Sequence, residues 1–107
     1  MKLMTKAIAK GLKAGTEAAT PEPTPIVVKY FHPASGWTWF ATEGEKVGPG
    51  PNDWILFGLV EGFETELGSF SLAELAAIKG PMGLSIERDL HFTGMAIQNN
   101  KVIEMPS

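Results

Sequence analysis

The chain has 107 residues, 44% hydrophobic and 20% charged, with a formal net charge of −3. That suits one globular domain with a modest core, and it lacks the basic surplus of a duplex-DNA binder. With no cysteine there is no disulfide, thiol catalysis, Cys-ligated zinc or iron–sulfur chemistry, and no apolar run reaches the ~18 residues of a membrane span.

Residues 5–14 predict a short helix with Thr5 as its cap. Met4, Ile8 and Leu12 form a narrow apolar stripe, and the lysines at 2, 6, 10 and 13 lie mainly off it. Interleaved lysines with no apolar segment behind them read as neither a signal peptide nor an anchor. The stripe is expected to dock on a sheet while the lysines stay in water. Residues 15–25 are a Pro-rich linker, with prolines at alternating positions favouring an extended path.

Residues 26–32 and 37–41 are β-branched and aromatic, and a Pro33–Gly36 turn makes them a hairpin. A Gly/Pro loop over 43–52 follows, then an apolar strand over 53–60, a turn over 62–68 and a short extended piece at Ser69–Phe70. Residues 71–79 carry a complete helix signature. Ser71 and Glu74 have capping-box spacing, Phe70 and Leu75 can close a hydrophobic staple, and Gly80-Pro81 stops the run. Leu72, Leu75, Ala76 and Ile78 are its expected buried face. Residues 86–92 read as a last strand and 94–107 as a weakly held tail, with room for one more short strand near Val102-Ile103. The sum is a single α+β domain over 1–107, an antiparallel sheet of about four strands with one internal and one N-terminal helix.

The runs SGWTWF (35–40), FGLVEGFETELGSFSLAEL (57–75) and GPMGLSIERDLHF (80–92), with the opening MKLMTKAIAKGL, resemble a bacterial family of small proteins known as a domain of unknown function. The likeness weakens at 15–25, at 43–52 and after Gly94. It implies carriage on conjugative plasmids, integrative elements and phages, among anti-restriction and transfer genes. It brings no catalytic residues with it.

Three constellations carry chemistry. Trp37 and Trp39 share a strand face, with Tyr30 nearby, and such platforms stack single-stranded bases when Lys or Arg stands beside them; here only Lys29 does in sequence. The plain alternative is that the indoles fill the core. Glu87, Asp89 and His91 alternate along the predicted last strand and are of types that bind metal or exchange protons, or else form the wet side of an edge strand. Arg88 then faces the apolar side and wants a carboxylate. Glu61, Glu64 and Glu66 crowd one turn, and with Asp53, Glu43 and Glu45 they form either an acidic docking surface or a solvated turn. Nucleophile elbows, phosphate-binding glycine loops and HExxH zinc motifs are missing from the sequence.

The expectation is a cytoplasmic, non-enzymatic protein-interaction module of a mobile element, related to counter-defence or transfer, with no cofactor and no membrane. Its candidate binding residues are Tyr30, Trp37, Trp39, Glu61, Glu64, Glu66 and Arg88. The rivals are a weak single-strand nucleic-acid binder using Trp37 and Trp39, and a small metal-dependent or acid/base enzyme using Glu87, Asp89 and His91. Free sheet edges leave homodimerisation open.

Overall fold

The computed structural model describes residues 1–14 and 21–105. Helix α1 (Lys6–Gly11) is followed by strands β1 (Thr24–Pro25), β2 (Val28–Phe31), β3 (Thr38–Lys46), β4 (Trp54–Glu61) and β5 (Thr65–Ser71). Helix α2 (Leu72–Ala77), a 3₁₀ turn (Pro81–Gly83) and strands β6 (Glu87–Arg88), β7 (Met95–Gln98) and β8 (Lys101–Glu104) complete the order. The fold is α+β, with two antiparallel sheets: β5-β4-β3-β2-β6 and β1-β7-β8.

Strand alternation gives the larger sheet two apolar faces. Val28, Tyr30, Trp39, Ala41 and Leu56 cluster with Leu3, Met4, Ile8, Leu72, Leu75 and Ile86 on the helical side. Phe40 and Leu59 cluster with Ile26 and Ile97 of the smaller sheet on the other. Thr5 caps α1 through its side chain, and the stripe docks as its spacing predicts: Met4 and Ile8 are buried, Leu12 packs on the same cluster, and all four lysines are exposed. The helix is shorter than the predicted 5–14, because Leu12 turns to extended backbone so that Lys13 can bridge to Glu43 beside β3.

The other elements depart from their predicted bounds as well, most of them through strand pairing. β3 runs on through Glu43–Lys46, past the predicted loop boundary, after a bulge between Ala41 and Glu43. β5 is seven residues long where a turn and a short extended piece were expected, because it pairs with β4 from Ile55–Ser71 to Glu61–Thr65. Ser71 caps α2 by accepting from the Glu74 N–H, but the helix ends at Ala77 and leaves Ala76 and Ile78 exposed. The predicted last strand keeps regular pairing only at Glu87–Arg88, against Phe31 and Tyr30. The short strand expected near Val102-Ile103 is β8, and residues 94–104 around it form a hairpin rather than a loose tail: Asn99 and Asn100 take positive φ as a two-residue turn, and Ala96 and Ile97 are buried. Thr24 and Pro25, at the end of the expected linker, pair with Ile97 and Ala96. The rest of that linker, 15–20, lies outside the described residues.

Candidate functional site

The β2–β3 hairpin turn brings Trp37 to the rim of the sheet. Its indole stacks on Trp39, with centroids 5.8 Å apart, and meets Phe63 edge-on at 5.4 Å. Gly62 makes this approach possible, since a Cβ there would lie 2.3 Å from the indole. Phe63, in the β4–β5 turn, is 94% exposed. Trp37 thus stands between two cavities. One, of about 350 Å³, is walled by His32, Ser35, Trp37, Trp39, Ile78, Gly80 and Ile86. The other, of about 340 Å³, is walled by Trp37, Val60, Phe63, Glu64 and Glu66. Leu84 and the 92%-exposed Met82 add apolar surface in the loop that carries Gly80. Together these features make a surface shaped to receive apolar side chains.

The first cavity has two polar side chains, and the chain itself holds both. His32 is buried; its Nδ1 accepts from the Ala34 N–H at 3.1 Å, which leaves Nε2 to donate to the Leu84 carbonyl at 3.2 Å. The imidazole thus ties the 33–36 turn to the 80–84 loop. Ser35 Oγ accepts from the Trp37 N–H at 3.2 Å. His32 did not figure among the sequence candidates, because a lone histidine beside a turn gives no sign of a partner 52 residues on.

The candidate residues separate. Trp37, Glu64 and Glu66 share the second cavity, and Trp39 is buried with one side in the first. Glu61 pairs with Thr65, and strand alternation turns it away from Val60 and Glu66. Tyr30 is fully buried, donating from its hydroxyl to the Leu3 carbonyl at 2.6 Å, and burial pushes that hydroxyl well above the usual tyrosine range while Arg88 pulls it partway back. Arg88 finds a carbonyl rather than a carboxylate: its Nε donates to Lys2 O at 3.0 Å. Of the expected acidic surface, Glu43 is fully buried and accepts from the Thr42 hydroxyl, because the bulge turns it inward.

Glu87, Asp89 and His91 line a third hollow with Lys29 and Phe31. Strand pairing ends at Arg88, so the alternation that would align them stops short. Asp89 pairs with Lys29, at 3.6 Å, and accepts from the His91 N–H at 3.0 Å. Among the described residues, no three His, Asp or Glu are grouped to hold a metal ion. Lys29 also lies 5.8–6.0 Å from the ring centres of Phe31, Phe40 and Phe92. No described helix is long and apolar enough to cross a membrane.

Fold and surface together define a small two-sheet α+β protein with an open aromatic face edged by carboxylates. A model of the family described as Protein of unknown function (DUF2958) matches residues 2–100, and the chain belongs to that family. No curated protein and no solved structure matches the chain.

Proposed function

We propose that the chain is a non-enzymatic protein-interaction module that docks a basic segment of a partner protein on the Trp37–Phe63 face. One contrast carries this reading. The phenyl rings around Lys29 have their cation, whereas among the described residues no Lys or Arg lies over Trp37 or Phe63, although Glu64 and Glu66 stand beside them. A partner's Lys or Arg completes that arrangement, and an aromatic or long aliphatic side chain fills either cavity. A face with exposed aromatics, held polar groups and a carboxylate rim supports docking over chemistry. The single-strand reading loses support, since Tyr30 and Trp39 are buried and cannot both offer ring faces. The family resemblance suggests the setting, a counter-defence or transfer component of a mobile element.

The test is selection from a displayed random-peptide library on the full chain. Enriched peptides should carry Lys or Arg beside an aromatic or large aliphatic residue, and Phe63→Ala and Glu66→Lys should each weaken them about tenfold. No enrichment would overturn the reading. Salt-sensitive quenching of tryptophan fluorescence by an oligonucleotide would move it to nucleic acid.

A further inference from the structure

The second cavity is built from three strands and a turn. Trp39 of β3, Val60 of β4 and Glu66 of β5 are direct cross-strand partners, so they lie in one row on one face of the sheet. Val60 and Glu66 line the cavity from that row. At its end, the Gly62 N–H donates to the Glu64 carbonyl at 3.0 Å, which fixes the turn that carries Phe63 and Glu64. Phe63 meets Trp37 at an interplanar angle of 84°. Two rings in a T leave a right-angled corner, in which one body can touch the face of each. Ring faces carry the negative side of the aromatic quadrupole. The corner is therefore apolar to the touch and negative in potential, and Glu64 and Glu66 add formal negative charge to the same cavity.

We infer that the Trp37–Phe63 corner is a site for a methylated ammonium group, the side chain of an N-methylated lysine in the partner segment. This rests on the docking reading above and names the side chain that the corner takes. The Lys29 site shows how this protein holds a bare ammonium: rings lie around it, an Asp89 oxygen stands at 3.6 Å, and part of it stays in water. A bare ammonium brings three N–H donors and a firm hydration shell. Trp37, Val60 and Phe63 offer those donors nothing. Methyl groups replace the donors with apolar surface and keep the positive charge. Such a head gains from both ring faces, from Val60 and from the two carboxylates together. A guanidinium has five donors to satisfy and suits the corner less well. At about 340 Å³ the cavity has room for a branched head. A choline lipid headgroup carries the same cation but brings a phosphate, which Glu64 and Glu66 repel.

The experiment titrates the full chain with tetramethylammonium chloride, ammonium chloride and tert-butanol, following the Trp37 indole N–H by NMR. Tetramethylammonium should shift that signal saturably. Ammonium, of equal charge, should need about tenfold more, and tert-butanol, of similar shape without charge, should leave it nearly in place. Phe63 is almost wholly exposed, so its variants keep the fold. Phe63→Leu should lose the preference for tetramethylammonium over tert-butanol, and Phe63→Tyr should keep it. Glu66→Gln should weaken tetramethylammonium severalfold. In anisotropy titrations with fluorescein-labelled Ser-Ala-Phe-Ala-Lys-Ala-Ser, trimethylation of the lysine should tighten binding about tenfold. No shift at Trp37, or equal shifts by tetramethylammonium and tert-butanol, would overturn the site and leave the docking reading to its library selection. Tetramethylammonium binding with no gain from trimethylating the peptide would overturn the lysine assignment. Sedimentation with phosphatidylcholine vesicles at least as strong as binding of the trimethylated peptide would give the corner to a lipid headgroup and overturn the inference. Failure of the cation and of the library selection alike would overturn both readings.

Discussion

The chain builds two aromatic groups at different places and finishes only one of them. Around Lys29, the rings of Phe31, Phe40 and Phe92 surround an ammonium that Asp89 also pairs. Around Trp37, the rings of Trp39 and Phe63 stand next to Glu64 and Glu66, and no described Lys or Arg lies over Trp37 or Phe63. The same residue types thus serve stability in one place and face solvent in the other. The difference lies in where the rings end up. Phe40 is held under the smaller sheet, whereas Phe63 sits in a turn with almost all of its surface in solvent. An aromatic group is structural when its chain supplies both halves of the contact, and a docking candidate when it supplies one.

The largest effect should come from the finished group. Phe40→Ala removes a buried ring between two sheets and should cost about 3–5 kcal/mol in chemical denaturation. Trp37→Ala should cost about 1–2 kcal/mol, since the indole is half-buried, and should abolish peptide binding in an anisotropy titration. A finished group would show the first effect without the second.

Tyr30 adjoins both groups and supplies a pH test. Its folded-state hydroxyl ionises later than an unfolded tyrosine, so the unfolded chain loses that proton first. Stability therefore falls as pH rises above about 10, and Tyr30→Phe should flatten that fall in urea midpoints. At neutral pH the same change should cost about 1 kcal/mol, for the lost hydrogen bond to Leu3. Lys29→Met removes a partly exposed ion pair and should cost no more than about 1 kcal/mol, discounted for solvent screening. Phe63→Ala should change stability by less than about 0.5 kcal/mol while reducing binding, and a large loss of stability there would erase the contrast between the groups.

Local signals in the sequence located much of this. The Thr5 and Ser71 caps, the α1 stripe and the apolar run of β4 follow from residues within one turn or one strand of each other. What escaped depends on distance. Thr24 and Pro25 become a strand only because Ile97 and Ala96 arrive beside them, and a two-residue strand has no periodicity to detect. The Asn99-Asn100 pair did carry a signal, since adjacent asparagines accept the positive φ of a hairpin turn. At the candidate site, Trp37, Glu64 and Glu66 were named from composition and spacing. Phe63, which completes the surface, carries no such signal, because an apolar residue in a turn looks like one more core residue until its exposure is known. Tyr30 and Arg88 were drawn to backbone carbonyls near the N-terminus, more than 20 residues away.

The smaller sheet also sets an order of events during synthesis. Ile26, Phe40 and Leu59 leave the ribosome well before Ile97, the residue that covers them. Until residues 95–98 have been made, Phe40 and Leu59 lack their cover from the smaller sheet. A nascent chain paused near residue 90 would carry an apolar plate and present a natural client for a ribosome-associated chaperone.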